Sequence, residues 1–156
     1  MANLKHAIKQ GIVALKAKNI QPVMQTVGDE CLLKGKTALV VGGSGGIGKA
    51  VAKAFLKNGA NVVIAGTRRA KVDKVVLELG EKCAGVVVDL AEPETFSKVI
   101  DEAVAFYGPI DILVNSAGVH TEDVSMGGFL DFSVEEYDRI LDINLRCVYF
   151  MVQSVA

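Results

Sequence analysis

The residues of this chain with the clearest chemical meaning are glycines. Straight after an apolar run stands Gly42-Gly43-Ser44-Gly45-Gly46-Ile47-Gly48, and a helical pattern follows it. A pyrophosphate needs close backbone approach, amides aimed at its oxygens and a helix N-terminus behind it, and a side chain larger than hydrogen obstructs all three. The spacing admits three readings. Gly43, Gly45 and Gly48 make G-x-G-x-x-G, Gly42, Gly46 and Gly48 make G-x-x-x-G-x-G, and Gly43 to Gly48 followed by Lys49 comes near a P-loop. The P-loop fails at Ala50, where a hydroxyl is needed to hold Mg²⁺. A dinucleotide-binding turn is the reading that fits a strand before the loop and a helix after it.

Which dinucleotide depends on the end of the next apolar run. A carboxylate about 20 residues past the glycines would accept bonds from the adenosine ribose and select NAD. From Cys31 to Val72 there is no Asp or Glu, and the run ends in Gly66-Thr67-Arg68-Arg69. Guanidinium groups bind phosphate bidentately, so the sequence favours NADP over NAD, with Thr67, Arg68 and Arg69 at the 2′-phosphate.

Other reactive groups are few. Cys31, Cys83 and Cys147 are odd in number and lack a C-x-x-C pair, so they read as buried thiols rather than as a disulfide frame or a zinc site. His6 and His120 are the only histidines, too few for a histidine-rich metal site.

The elements that must position the loop alternate. Segments 37–41, 61–65, 85–89 and 111–115 are short, rich in β-branched residues and nearly continuous in apolar character, as strands buried on both faces of a parallel sheet are. Helical periods lie between them. Residues 47–57 place Ala50, Val51, Ala54 and Phe55 on one side and stop at Gly59; residues 69–79 make a weaker helix; residues 93–107 turn Phe96, Val99, Ile100 and Val104 inward and end at Gly108-Pro109. Ser133 and Glu136 predict a capping box opening a last helix that continues to residue 156. Strand and helix repeated three times imply right-handed crossovers and a Rossmann-type, doubly wound parallel sheet with three α/β/α layers, over residues 36–156. Residues 1–35 stand outside it as an N-terminal helical extension, with Leu4, Ile8, Ile12 and Leu15 at helical spacing among lysines.

Charge is distributed rather than clustered. The formal net charge is -1, made of +4 over residues 1–36, +3 over 37–98 and -8 over 99–156. No dense Lys/Arg patch with interleaved aromatics predicts a nucleic-acid surface. At 51% apolar and 22% charged, with 16 Gly and 3 Pro, the composition excludes collagen and a disordered chain. No apolar run reaches the ~18 to 20 residues of a bilayer span, so no membrane partner and a cytoplasmic location are expected.

From residue 36 onward the sequence resembles the short-chain dehydrogenase/reductase family. The likeness is carried by the glycine loop, by Asp89 after the third strand, by Asn115-Ser116-Ala117-Gly118 after the fourth and by Asn144 in the last helix. The resemblance selects Gly42, Gly46 and Gly48 as phosphate-loop positions, with Ser44, Gly45 and Ile47 beside them, and sets Asp89 and Leu90 at the adenine. It implies that Asn115, Ala117 and Gly118 line the nicotinamide ribose, Ser116 standing where the family has a second Asn. Asn144 matches the catalytic asparagine that bends its helix and holds a water of a proton relay. The family's usual Arg for the 2′-phosphate would fall at Thr67.

The resemblance further implies a Ser and a Y-x-x-x-K pair, which this sequence does not offer. Tyr107, Tyr137 and Tyr149 are followed four residues later by Asp111, Leu141 and Gln153, and the last lysine is Lys98. The expectation is therefore the N-terminal, cofactor-binding part of a longer NAD(P)-dependent alcohol or carbonyl oxidoreductase, ending inside its fifth helix, and inactive by itself. The alternative is a dinucleotide-binding module without chemistry. A homodimer or homotetramer is what the resemblance implies for assembly.

Overall fold

The computed structural model describes residues 32–120 and 131–156. The helical extension expected at residues 1–35 lies outside them apart from residues 32–35. Four strands form one sheet: β1 (Thr37–Val41), β2 (Asn61–Gly66), β3 (Cys83–Val87) and β4 (Ile112–Asn115). Their order is β3-β2-β1-β4 and every pairing is parallel, with Leu39 opposite both Val63 and Leu113. Among the described residues five α-helices accompany them: α1 (Gly46–Lys57), α2 (Arg69–Leu79), α3 (Phe96–Tyr107), α4 (Val134–Leu141) and α5 (Cys147–Val155).

Period-two alternation sorts the apolar strand residues into two cores. Ala38, Val40, Val62 and Ile64 pack with Ala52 of α1 and with Val72 and Val75 of α2. Leu39, Val41, Val63, Ala65 and Val86 face the other way, against Phe96, Val99, Ile100 and Ala103 of α3 and Cys147 and Met151 of α5. These are the three layers that the strand and helix alternation predicts. Strand β4 is the edge, and its apolar residues Ile112, Leu113 and Val114 are only half-buried. Among the described residues no helix is long and apolar enough to cross a membrane.

Four local expectations are corrected. The third strand occupies Cys83–Val87, two residues ahead of the apolar window at 85–89. Gly85 sits at its middle, opposite Ile64, because a Cβ there would overlap Val72 of α2. Helix α1 buries Gly48 and Ala52, with Phe55 and Leu56 packed beside them, and leaves Ala50 and Ala54 exposed. Close contact of Gly48 with the glycine turn sets that rotation. The segment 93–107 begins as a 3₁₀ turn, Pro93–Thr95, before α3 proper. The last helix is broken by a π turn, Asp142–Arg146, centred on Asn144.

The capping box at its start is half-formed. Ser133 Oγ accepts from Glu136 N–H at 3.1 Å, while the Glu136 carboxylate grips the Arg139 guanidinium at 2.8 Å through both of its oxygens.

Candidate functional site

The glycine turn is stitched to the ends of β1 and β2. Gly42 N–H donates to the Ala65 carbonyl at 2.8 Å, Gly43 N–H to the Val40 carbonyl at 3.1 Å, and Gly45 N–H back to the Gly42 carbonyl at 3.0 Å. Gly42 has φ 80°, a conformation that only glycine adopts without strain. A Cβ on Gly42 would lie 2.5 Å from Ala117 N, one on Gly43 2.6 Å from the Ile64 side chain, and one on Gly48 would overlap the Gly42 carbonyl oxygen. Packing of the turn against α1, β2 and residues 116–117 therefore requires those three glycines.

Gly46 is different. A Cβ there would meet nothing within 4 Å. The N–H groups of Gly46, Ile47 and Gly48, in the first turn of α1, have no acceptor among the described residues; the helix ladder begins with Lys49 N–H on the Gly45 carbonyl at 2.9 Å. No acidic side chain occupies that first turn. Unbonded donors, the positive end of the helix dipole and open space above Gly46 suit a phosphate anion.

Beside this turn a cavity of about 560 Å³ lies over the carboxyl ends of the strands, where the order reverses between β1 and β4. Such a switch point is where open α/β sheets bind ligands. Of the residues singled out from sequence, Gly42, Ser44, Gly45, Thr67, Arg68, Leu90, Ala117 and Gly118 line it.

The others are placed around it. Ile47 is 76% exposed in the first turn of α1. Arg69 pairs with Asp73 at 3.0 Å instead of entering the cavity lining. Asp89 is exposed just beyond β3, and its Oδ1 accepts from Ala91 N–H at 2.9 Å. Asn115 ends β4 in register with Val41. Asn144 stands one residue past the lining residue Ile143, and its side chain bonds Val119, which also lines the cavity.

Several lining residues carry weak sequence signals. Val41, Gly66, Val88, Val119 and Ile143 complete the walls, and an apolar residue at a strand end looks like any core residue. Ser116 also lines it, and its Oγ donates to the Val41 carbonyl at 2.8 Å, tying the ends of β1 and β4 together. Its position within the Asn-Ser-Ala-Gly run is the signal that could have marked it. Arg139, missed altogether, donates to the His120 carbonyl at 3.0 Å and so anchors the loop after β4 to α4.

Titration chemistry lies away from the cavity. Burial pushes the Cys83 thiol up to about 11 and raises Cys147 and Tyr107 as well. Hydrogen bonding and charge from Lys49 hold Glu78 below its ordinary value. No side chain lining the cavity among the described residues is a Tyr, Lys, His or carboxylate.

The fold is a doubly wound α/β sheet with a cavity at its switch point, and similarity to known proteins agrees with that class. The family of the short chain dehydrogenases matches residues 36–156, and the chain belongs to it. Oxidoreductase UcpA of Escherichia coli (strain K12) is 37% identical over 126 residues, 79% of this chain and 46% of that protein. The 3alpha-hydroxysteroid dehydrogenase of Mediterraneibacter gnavus is 35% identical over 130 residues, 80% of this chain and 50% of that protein. Among solved structures, the short-chain glucose/ribitol dehydrogenase from Brucella melitensis superposes with a TM-score of 0.73 at 28% identity, covering 81% of this chain and 53% of its own. The chain spans about half the length of the curated relatives it matches.

Proposed function

We propose that residues 36–156 bind NAD(P) across the switch-point cavity, as the cofactor-binding part of an oxidoreductase that interconverts small-molecule alcohols and carbonyls. The observation that carries this reading is the open position above Gly46 beside three unbonded amides in the first turn of α1, which follows directly on Ser44 and Gly45 of the cavity wall. The relatives named as dehydrogenases support the reaction class. When bound, the dinucleotide supplies a nicotinamide carbon that gives or accepts a hydride.

The chain's own residues then have separate tasks. The Gly46, Ile47 and Gly48 amides hold the pyrophosphate, and Gly42, Ser44 and Gly45 let it approach the backbone. Leu90, with Asp89 at its rim, bounds the adenine end. Asn115, Ala117 and Gly118 flank the nicotinamide ribose, and Asn144 fixes the adjoining Val119. NADP is favoured over NAD, because Arg68 lines the cavity and no carboxylate does. Residues 1–28 of the N-terminal extension add to subunit contact in a homodimer or homotetramer. The cytoplasm suits free, buried Cys83 and Cys147.

Proton transfer to the reacting oxygen needs a donor within about 2.6 to 3.2 Å. Among the described residues the cavity lining has no Tyr, Lys, His or carboxylate to take that role, so binding and turnover separate: the 156-residue chain binds cofactor and turns over nothing. The same observation favours a second reading, a dinucleotide-binding module with no chemistry. Fluorescence titration with NADPH and NADH tests the binding, and absorbance assays on secondary alcohols and ketones test the chemistry. No saturable binding of either nucleotide would overturn the cofactor reading. Steady turnover by these 156 residues would overturn the assignment of proton transfer elsewhere, and turnover only by a chain continued past Ala156 would decide for the enzyme over the module.

A further inference from the structure

The cavity wall that follows β4 is held at its two ends. Ser116 N–H donates to the Val41 carbonyl at 2.9 Å and its Oγ to the same carbonyl at 2.8 Å, which fastens one end to β1. At the other end Asn144 bonds the N–H and the carbonyl of Val119, and Arg139 Nη2 donates to the His120 carbonyl at 3.0 Å. Between these ends lie Ala117 and Gly118, both in the lining, and among the described residues neither bonds to backbone elsewhere. Apart from the packing of Ala117 on Gly42 and of Gly118 on Asn144, their position is set by where residues 116, 119 and 120 are fixed.

Arg139 is itself firmly placed. Ser133 Oγ fixes the first turn of α4 by accepting from Glu136 N–H, and the partly buried Glu136 carboxylate takes Arg139 Nε on one oxygen and Nη2 on the other, each at 2.8 Å. A planar guanidinium gripped through two of its nitrogens has one orientation, and Nη2 keeps a second hydrogen for the His120 carbonyl. The π turn brings Asn144 into line with this group. In an unbroken α-helix residue 143 sits one turn beyond 139, and residue 144 is rotated about 100° past it. The wider turn at Asp142–Arg146 takes up one residue, so that Arg139 and Asn144 meet consecutive loop residues, 120 and 119.

We infer that Arg139 is a positioning residue for the cofactor site: through the His120 carbonyl it fixes the far end of the wall at residues 116–119, and so sets where the nicotinamide half of a bound dinucleotide lies. The inference rests on the cofactor reading and adds to it a residue that stands outside the cavity lining and acts only through the loop backbone. With the His120 carbonyl released, residues 117–119 sample more conformations, and a ligand lying against them has to order them on binding. That cost falls on the nicotinamide half alone. The adenosine half, against Arg68 and Leu90 in this reading, meets no part of the loosened wall. Arg146 supplies the contrast: it pairs with Asp142 at 3.6 Å and lies over the Phe150 ring, without a bond to the loop among the described residues.

The test compares the unaltered chain with Arg139→Ala, Glu136→Gln and Arg146→Ala, each checked for folding by circular dichroism. NADH and NADPH are titrated by fluorescence, 5′-ADP and 2′,5′-ADP by calorimetry, and hydrogen exchange is followed along the loop. The expected result for Arg139→Ala is a loss of about tenfold in affinity for both dinucleotides, no change for the two adenosine phosphates, and faster exchange at residues 117–119 with β1 unchanged. Glu136→Gln, which keeps the guanidinium but orients it less firmly, should show the same pattern at smaller amplitude, and Arg146→Ala none of it. Should Arg139→Ala fail to fold, Glu136→Gln carries the same comparison alone. Dinucleotide affinity that is unmoved by loss of the clamp overturns this inference and leaves the cofactor reading standing. An equal loss for dinucleotides and adenosine phosphates would make Arg139 a general support of the fold and overturns it as well. Failure of the unaltered chain to bind either dinucleotide overturns the cofactor reading, and the inference with it.

Discussion

Asn144 holds the backbone of Val119 at both ends of one residue: its Oδ1 accepts the Val119 N–H and its Nδ2 donates to the Val119 carbonyl, each at 2.8 Å. The side chain stands at the centre of a π turn, and Val119 belongs to the loop that lines the switch-point cavity. One residue of slack in the helix thus places an amide where it can act as a backbone partner for a loop with no strand beside it. The Gly118 Cα region packs against the same side chain, since a Cβ there would lie 3.2 Å from Asn144 Oδ1.

Asn144→Ala should therefore loosen residues 118–120 more than it destabilises the sheet. Two exposed hydrogen bonds are lost, at about 0.5 to 1.5 kcal/mol each. Hydrogen exchange should show faster exchange at Val119 with β1 and β2 unchanged, and Asn144→Asp, which can accept but not donate when ionised, should fall between. Equal loss of protection throughout the sheet would show instead that Asn144 supports the whole core.

Gly48→Ala and Gly46→Ala should behave oppositely although both lie in the first turn of α1. A Cβ on Gly48 collides with the Gly42 carbonyl oxygen and with Ser116 Oγ, so the variant should lose about 1 to 3 kcal/mol in a urea melt. A Cβ on Gly46 meets open space, so that variant should melt within about 0.5 kcal/mol of the parent, as surface substitutions do. Its nucleotide affinity should nevertheless drop. A Gly46→Ala chain that binds NADPH normally would remove the main support for a phosphate above that turn.

How far these features are readable from sequence follows from their range. The strands were legible because β-branched runs bounded by Gly and Asn report local burial directly, as in Asn61–Gly66. Ser133 as a helix cap was legible for the same reason. The glycine loop could be recognised, but the division between Gly48, held by packing, and Gly46, facing open space, depends on contacts with Ser116 that lie far away in sequence. The exposure of Ala50 and Ala54 was illegible because alanine fits either side of a helix and the rotation is set by Gly48. Arg139 gave no signal at all: its bond to the His120 carbonyl needs the α4 axis to be known.

Arg68→Ala should remove most of a preference for NADPH over NADH, whereas Arg69→Ala should not. The two guanidinium groups are adjacent in sequence but differently engaged: Arg68 lines the cavity, and Arg69 is held by Asp73 one turn along α2. A charge-assisted phosphate contact contributes about 1.5 to 3 kcal/mol, a tenfold or larger ratio of dissociation constants. Paired titrations of both variants decide the assignment, and an Arg69→Ala chain that loses the preference while Arg68→Ala keeps it would reverse it.

The Asp111 carboxylate should give the fold an acid-sensitive joint at the other end of the sheet. It accepts from Lys36 Nζ at 2.6 Å and from Thr37 N–H at 2.9 Å, while Asp111 N–H donates to the Thr37 carbonyl at 2.9 Å, so it fastens the start of β4 to the start of β1. The Lys36 hydrogen bond, then the Thr37 amide, hold its pKa below the ordinary carboxylate value. A group whose folded pKa is depressed contributes stability above its unfolded pKa, near 3.9, and loses that contribution as pH falls through the folded value. Asp111→Asn keeps an acceptor for Thr37 but cannot pair with Lys36, so it should be less stable than the parent near neutral pH. The gap should close as pH falls through the depressed folded value, where the parent carboxylate is itself protonated. Urea melts of both chains across that range measure the gap directly; a constant offset would assign the effect to geometry rather than to charge.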